Sequence, residues 1–297
     1  MMKLLKAAGL VLAVLVLLLA AAAGVAALFF DGDWAKQELA RVVQEKTQRS
    51  LTIKGNVALT FLPRLGLRIG QASLSEKQSA EEFAALESAR VSVAVLPLLS
   101  KRVVADRLEL RGLRLTLVRR KDGSLNAADL SAAGSTDDRR GDGAAGPRLQ
   151  VAGIRISDST LTWRDEQSGK TTVVSGLELA TGPVESGSTP GSYRLDAVKF
   201  SARASSGGDN LLLRLASPEI TLDGQRLQIG KLSLESDGSS SGTGFKAKLE
   251  AEVSADLERK IYAMSKLEGS LDVSHPRLPM KSLHLPLSGK FGADLGK

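Results

Sequence analysis

The stretch VVADRLELRGLRLTLVR, residues 103–119, is the longest strand candidate in the chain. Apolar and polar residues alternate along it, which is the period of a β-strand with one buried face. Its leucines change parity halfway along, from Leu108 and Leu110 to Leu113, Leu115 and Leu117. One extra residue near Arg111 and Gly112 would return both sets to a single face as a β-bulge. The stretch therefore predicts a bulged strand in a sheet with one apolar face.

Similar patterns on both sides predict a mainly β protein. Before this stretch, residues 51–69 alternate, and residues 80–89 are helix-prone. After it, short apolar runs are separated by turns rich in Gly, Ser, Asp and Pro. The later predicted strands cover 151–163, 173–180, 194–202, 211–216, 219–223, 226–235, 244–257 and 283–291. These patterns predict a long antiparallel sheet with one apolar face, preceded by a transmembrane helix and a short amphipathic helix.

Residues 7–30, AAGLVLAVLVLLLAAAAGVAALFF, carry no charge. As a helix they would measure about 36 Å, longer than a hydrocarbon core of about 30 Å, so we predict a transmembrane anchor. Lys3 and Lys6 precede the run, and Asp31 and Asp33 follow it, so the positive-inside rule places the N-terminus in the cytoplasm. A cleaved signal peptide is the alternative, although its apolar core usually spans about 7–15 residues.

The rest of the chain divides by composition. Asp33 can cap an amphipathic helix that runs to about Gln48, and this helix would lie on the membrane or cover one end of the sheet. Residues 131–148 include no Val, Leu, Ile, Met or aromatic residue, so this segment cannot bury enough apolar surface to fold. The predicted parts are a cytoplasmic N-terminus (1–6), the anchor (7–30), a helix and sheet region (31–130), a flexible linker or loop (131–148) and a continuing sheet region (149–297).

Composition and charge narrow the class of partner. The 297 residues include no Cys, which excludes thiol chemistry and suits a periplasmic body. The formal charge of +7 is spread along the strands and mixed with acidic residues, so we predict no nucleic-acid partner. Attraction to anionic lipid headgroups and simple solubility both remain open as uses of the positive excess.

The sequence offers no recognisable catalytic or metal site. His275 and His284 lack nearby acidic ligands, and no nucleophile elbow, phosphate-binding loop or zinc-protease motif occurs. We therefore expect no enzyme, no metal and no cofactor. The feature that needs a function is the apolar face, because the sequence offers few helices to cover it. A second sheet, oligomerisation or bound lipid could bury such a face.

Several segments resemble the AsmA family of bacterial envelope proteins. They are the uncharged anchor, RSLTIKGNVALTFLPRLGLRIGQASLSE at 49–76, VLPLLSKRVVADRLELRGLRLTLVRRKDGSLNAADL at 95–130 and, more loosely, GIRISDSTLTWRDEQSG at 153–169. The resemblance implies an inner-membrane anchor and a long periplasmic β-rich body, related to the chorein-type bridge-like lipid transfer proteins. Those proteins are thought to carry phospholipid along a hydrophobic groove formed by a strongly curved sheet. The resemblance thus implies that the predicted sheet is a long curved antiparallel sheet forming an open hydrophobic groove.

The resemblance also implies roles for residues. The groove lining would come from the apolar parity of the strands, namely Leu59, Phe61, Leu108, Leu110, Leu113, Leu115, Leu117, Ile154, Ile156, Leu161 and Trp163. The structural motif positions would be Gly55, Pro63, Pro97, Gly112, Asp122, Gly123 and Asn126. The expected partners are phospholipid, the inner membrane and outer-membrane or periplasmic assembly proteins. The rival hypothesis is a non-enzymatic assembly factor that binds outer-membrane proteins through a closed β-sandwich.

Overall fold

In the computed structural model, the described residues are 32–60, 65–93, 103–133, 149–187, 189, 191–277, 280 and 282–295. They form two helices and a sheet of 17 strands, which confirms the mainly β fold class. The predicted anchor at 7–30 lies outside the described residues. Neither helix in the described ranges is long and apolar enough to cross a membrane.

The helices are α1 (Gly32–Thr47) and α2 (Ala128–Ala133). The strands are β1 (Leu51–Ile53), β2 (Val57–Thr60), β3 (Leu65–Ile69), β4 (Ala72–Ser75), β5 (Glu82–Leu86), β6 (Ser88–Val93), β7 (Val103–Arg111), β8 (Arg114–Arg119), β9 (Leu149–Asp165), β10 (Lys170–Ala180), β11 (Val184–Ser186), β12 (Tyr193–Ser206), β13 (Asp209–Asp223), β14 (Arg226–Ser240), β15 (Thr243–Asp256), β16 (Ile261–Ser274) and β17 (Ser282–Asp294).

Helix α1 follows from its sequence and covers one end of the sheet. Asp33 lies in its first turn and Lys46 in its last, where each charge favours the helix dipole. The helix ends where Gln48 adopts a left-handed φ of 57°. Its apolar side places Ala35 and Leu39 in a core cluster with strand residues. Of the two predicted positions for this helix, the structure therefore has the one over the sheet.

The sheet is mixed, which corrects the prediction of an antiparallel sheet. From β12 to β17 each strand pairs antiparallel with the next. Strands β7 and β8, however, both run parallel to β9. The segment between Arg119 and Leu149 contains α2 and carries the chain back before β9 begins. A parallel pair requires such a crossover, whereas a tight hairpin makes an antiparallel one.

Three local predictions are also corrected. The helix-prone segment 80–89 contains β5 and the start of β6, because alternate residues such as Phe83 are buried in the sheet. The predicted strands at 211–216 and 219–223 are one strand, β13, which continues through Pro218. Strand β16 was missing from the prediction. The short helix α2 lies at the end of the region predicted to precede the linker.

The bulge predicted near Arg111 is confirmed. The strand breaks between β7 and β8, where Gly112 has a φ of 64°. Strand β9 is continuous but irregular beside it, where Asp158 has a φ of 52°, and its register with β7 and β8 continues on both sides. The pairing can be followed from β7 and β8 through β9 and β10 to β12. Leu110 is connected in this way to Phe200, and Leu115 to Ala204. Those two β12 residues share one face, so both leucine sets do as well.

A second line of irregularities crosses the strands after β11. Ala197 in β12 has a φ of 48°, and the register shifts in β14 after Ile229 and in β16 after Met264. Gly289 in β17 continues the line with a φ of 140°. At Ala197 and at the register shifts in β14 and β16, the residues that face one side of the sheet switch between odd and even numbers. The apolar residues of the sequence make the same switch at the same places. Apolar residues on both sides of the line therefore stay on the same face of the sheet.

Candidate functional site

One face of the sheet carries a continuous apolar row. Side chains of directly paired residues lie on the same face, so the register can be followed from strand to strand. The long apolar row consists of Val57, Ile69, Ala89, Leu110, Ile156, Leu179, Phe200, Leu215, Leu234, Leu249, Gly269 and Leu287. Adjacent strands are about 4.8 Å apart, so the row is about 53 Å long. It contains no charged or hydrogen-bonding side chain.

Parallel rows widen this apolar face over β12–β17. One neighbouring row joins Ala202, Leu213, Ser236, Ala247, Leu271 and Leu285. Another, across the second line of irregularities, joins Leu195, Ile220, Ile229, Val253, Met264 and Phe291. Each of these strands packs mainly against its sheet neighbours, and the main contacts of α1 are with β1, β2 and α2. Among the described residues, no second layer covers the face over β12–β17.

The opposite face is polar and carries several ion pairs. Arg111 lies 3.2 Å from Asp158, Arg214 lies 3.7 Å from Glu235, and Lys246 lies 3.2 Å from Asp237. Such exposed, screened pairs contribute little stability, and their arrangement is typical of a solvated sheet surface. The sheet is therefore amphipathic along its length.

A shallow depression of about 600 Å³ lies on the polar face. Its charged lining residues are Arg155, Glu178, Lys199, Arg214 and Glu235. Because acidic and basic side chains alternate there, the depression has no single charge that would select a ligand. Within the described ranges, no three His, Cys, Asp or Glu side chains are grouped so that they could hold a metal ion.

The predicted lining residues divide into three groups. Leu108, Leu110 and Ile156 are buried in a cluster that Ala35 of α1 joins. Leu115 and Leu117 are buried in a second cluster with Leu130 of α2. The side chains of Ile154, Leu161 and Trp163 pack against these clusters, and that of Leu113 is half-buried. Leu59 lies in β2, but its side chain, like the whole of Phe61, is outside the described residues. Their role in lining a groove stays a prediction.

Glycines among the predicted motif positions allow close approach and special turns. A Cβ atom on Gly55 would lie 2.3 Å from the backbone nitrogen of Gln71, so only glycine fits there. Gly123 has a φ of 83° in the turn that follows β8, where Asp122 accepts a hydrogen bond from the backbone nitrogen of Ser124 at 2.8 Å. Hydrogen bonding with the side chain and then with the backbone nitrogen of Ser124 lowers the pKa of Asp122. Pro63 and Pro97 lie outside the described residues.

Asn126 holds the turn after β8 against the sheet. Its side chain is buried, accepts a hydrogen bond from the backbone nitrogen of Val118 at 2.9 Å and donates one to the carbonyl of Thr116 at 3.0 Å. It also donates a hydrogen bond to Glu76. The Asn126 side chain therefore makes the same hydrogen bonds to the backbone of β8 that a neighbouring strand would make. The position therefore requires an amide.

A buried arginine that sequence reasoning missed joins α1 to this turn. Arg49 is fully buried and donates hydrogen bonds from Nε and Nη2 to the carboxylate of Asp129 at 2.9 and 2.8 Å. Its guanidinium also donates to the carbonyls of Asn126 at 2.6 Å and Ser75 at 3.2 Å. The Cζ atom lies 4.2 Å from the centroid of the Phe83 ring. These residues form the Arg49 cluster.

The Arg49 cluster contains two carboxylates for one guanidinium. Glu76 Oε2 lies 3.7 Å from Arg49 Nη1 and makes no hydrogen bond. Burial raises the pKa of Asp129, but the hydrogen bonds from Arg49, the positive charge of Arg49 and weaker local contributions together outweigh burial and hold the pKa below its usual range. The charge of Asp129 therefore stabilises the fold.

Comparison with known proteins agrees with these features. No curated protein and no solved structure shows significant similarity to the chain. A protein-family model, that of the AsmA family, matches residues 1–277, which is most of the sequence. The match includes both helices, the buried Arg49 cluster and the sheet as far as β16. The chain therefore belongs to the AsmA family, whose members are associated with the bacterial cell envelope.

Proposed function

We propose that this protein holds or carries phospholipid on its apolar sheet face, between the inner and outer membranes, while residues 7–30 anchor it in the inner membrane. Its role is to support the lipid balance and assembly of the outer membrane. The observation that carries the proposal is the long apolar row, which continues across twelve strands without a polar side chain. Family membership supports the envelope setting.

The physical reason lies in the cost of exposing acyl chains. Each methylene moved from an apolar surface into water costs about 0.8 kcal/mol, so four cost about 3 kcal/mol. That energy corresponds to a factor of about 200 in occupancy. A row without a polar gap lets an acyl chain move from one strand to the next without this cost. Over β12–β17 the face has room for such contacts because no described element covers it.

The rival hypothesis, a closed β-sandwich that binds outer-membrane proteins, gains less support. A sandwich requires two sheets whose apolar faces pack together about 10 Å apart. All seventeen described strands belong to one sheet. The apolar face of β12–β17 is therefore available to a ligand that is not part of this sheet.

The test is native mass spectrometry with lipid extraction on the full chain purified from a bacterial envelope. We expect bound phospholipid, and we expect Leu234→Glu to reduce its occupancy by about two orders of magnitude, because the new charge interrupts the row. The matched control is Gln228→Glu, which adds the same charge to β14 on its polar face. Circular dichroism verifies that both variants keep the fold. Normal lipid loading of a folded Leu234→Glu protein would contradict the proposal.

A further inference from the structure

The long apolar row passes through two different environments. At the N-terminal end its side chains are buried, with exposed fractions of 2% for Val57, 1% for Leu110 and 8% for Ile156. From Leu179 in β10 onward the large side chains are half-buried. The change occurs between β9 and β10. Because the chemistry of the row does not change there, the difference must come from what lies above it.

Protein covers the first part of the row. Ala35 and Leu39 of α1 pack on the cluster that contains Leu110. Beside it, Leu130 of α2 packs on the cluster that contains Leu117, which has an exposed fraction of 0%. The space that an acyl chain would need in β2–β9 is therefore filled by side chains of the same protein.

The Arg49 cluster fixes this cover in place. Arg49 lies two residues after the end of α1, and its two hydrogen bonds to Asp129 join this end of α1 to α2. Both helices therefore share one buried ionic contact. Moving either helix away would leave a buried charge without its partner, which is strongly unfavourable. Simple thermal opening of the cover is thus disfavoured.

We propose, resting on the lipid function above, that phospholipid occupies only the part of the apolar face from β10 onward and enters it from the side, next to the closed N-terminal end. Arg49 is the positioning residue that keeps that end closed. Helix α1 directly follows the predicted anchor, so the closed end is the end nearest the inner membrane. Lipid then cannot pass straight from the membrane beneath α1 and must first reach β10 and β12, where Leu179 and Phe200 begin the open part of the row.

The test uses the full chain in nanodiscs that contain phosphatidylethanolamine with a photoreactive diazirine in one acyl chain. After illumination, proteolysis and mass spectrometry map the crosslinked peptides. Apart from adducts in the anchor, we expect adducts on peptides from β10–β17 and at least ten-fold fewer on peptides from β2–β9. In Arg49→Lys, which loses the two-pronged contact with Asp129, adducts on β2–β9 should rise at least ten-fold. The matched control, Arg119→Lys, alters an ion pair nearer the surface and should keep the wild-type pattern.

The outcomes separate the two proposals. Equal adduct levels on β2–β9 and β10–β17 in the wild-type protein would overturn side entry while leaving the lipid function intact. Adducts confined to the anchor would overturn the lipid function itself. An unchanged pattern in Arg49→Lys would overturn the role of Arg49. If Arg49→Lys does not fold, Asp129→Asn weakens the same contact from the other side and is expected to give the same redistribution.

Discussion

Replacing Arg49 by Met should strongly destabilise the N-terminal part of the sheet. The side chain is fully buried, so no water can take the place of its four hydrogen bonds to Asp129, Asn126 and Ser75. Methionine keeps much of the volume but leaves the carboxylates of Asp129 and Glu76 without a counter-charge. Removing one partner of a buried ion pair costs about 3–5 kcal/mol, and we expect a loss in this range.

Urea unfolding followed by tryptophan fluorescence measures this loss. The chain has two tryptophans, so a Trp163→Phe background leaves Trp34 in α1 as a reporter of the helix. Arg119→Met is the control, because Arg119 is partly exposed and Asp165 keeps its hydrogen bonds from Ser168 and from the backbone nitrogen of Gln167, so the loss should be clearly smaller. Adding Asp129→Leu to Arg49→Met should recover part of the stability, since one unpaired charge is removed. A loss below about 1 kcal/mol for Arg49→Met would refute the structural role assigned to the cluster.

Two further predictions concern Gly112 in the bulge between β7 and β8 and the carboxylate of Asp129. Gly112→Val should cost about 1–2 kcal/mol in thermal unfolding, because Gly112 has a left-handed φ of 64° and a Cβ atom there would lie 2.4 Å from Glu87. Gly230→Val, in open space, is the control, and equal melting temperatures would contradict the bulge assignment. The folded pKa of Asp129 is lowered, so its stabilisation is complete above its ordinary pKa of about 3.9 and is lost as the pH falls further. Urea titrations from pH 5 to pH 2 should therefore show a shallower decline for Asp129→Asn, and identical slopes would argue against this contribution.

The sequence allowed the sheet, its apolar face and its first bulge to be predicted, because all three depend on local alternation. The parity change between Leu110 and Leu115 is visible in the sequence, and a bulge is the standard way to keep both on one face. The parallel pairing of β7 with β9 was not predictable in this way, since periodicity carries no information on which distant strands pair.

The sequence predicted that the candidate site is an apolar sheet face, but it did not predict which residues of that face stay uncovered. Alternation identifies which residues of a strand share a face, but it does not say where another element covers that face. Leu117 and Leu234 follow the same rule in the sequence, yet α2 covers the first and no described element covers the second. Arg49 escaped prediction for a related reason, because burial of a charge depends on partners that are distant in sequence, such as Asp129.

The antiparallel succession of β12–β17 also has a consequence for how such a protein changes in size. From β13 to β16 the main contacts of each strand are with the strand before and the strand after it, so the array behaves as a chain of nearly independent units. Inserting one hairpin adds two strand spacings, or about 10 Å, to the length of the row without disturbing the units on either side. The length of the row therefore changes in fixed increments of one hairpin. Under the proposed lipid function, gains and losses of single hairpins would fit the row to envelopes of different width.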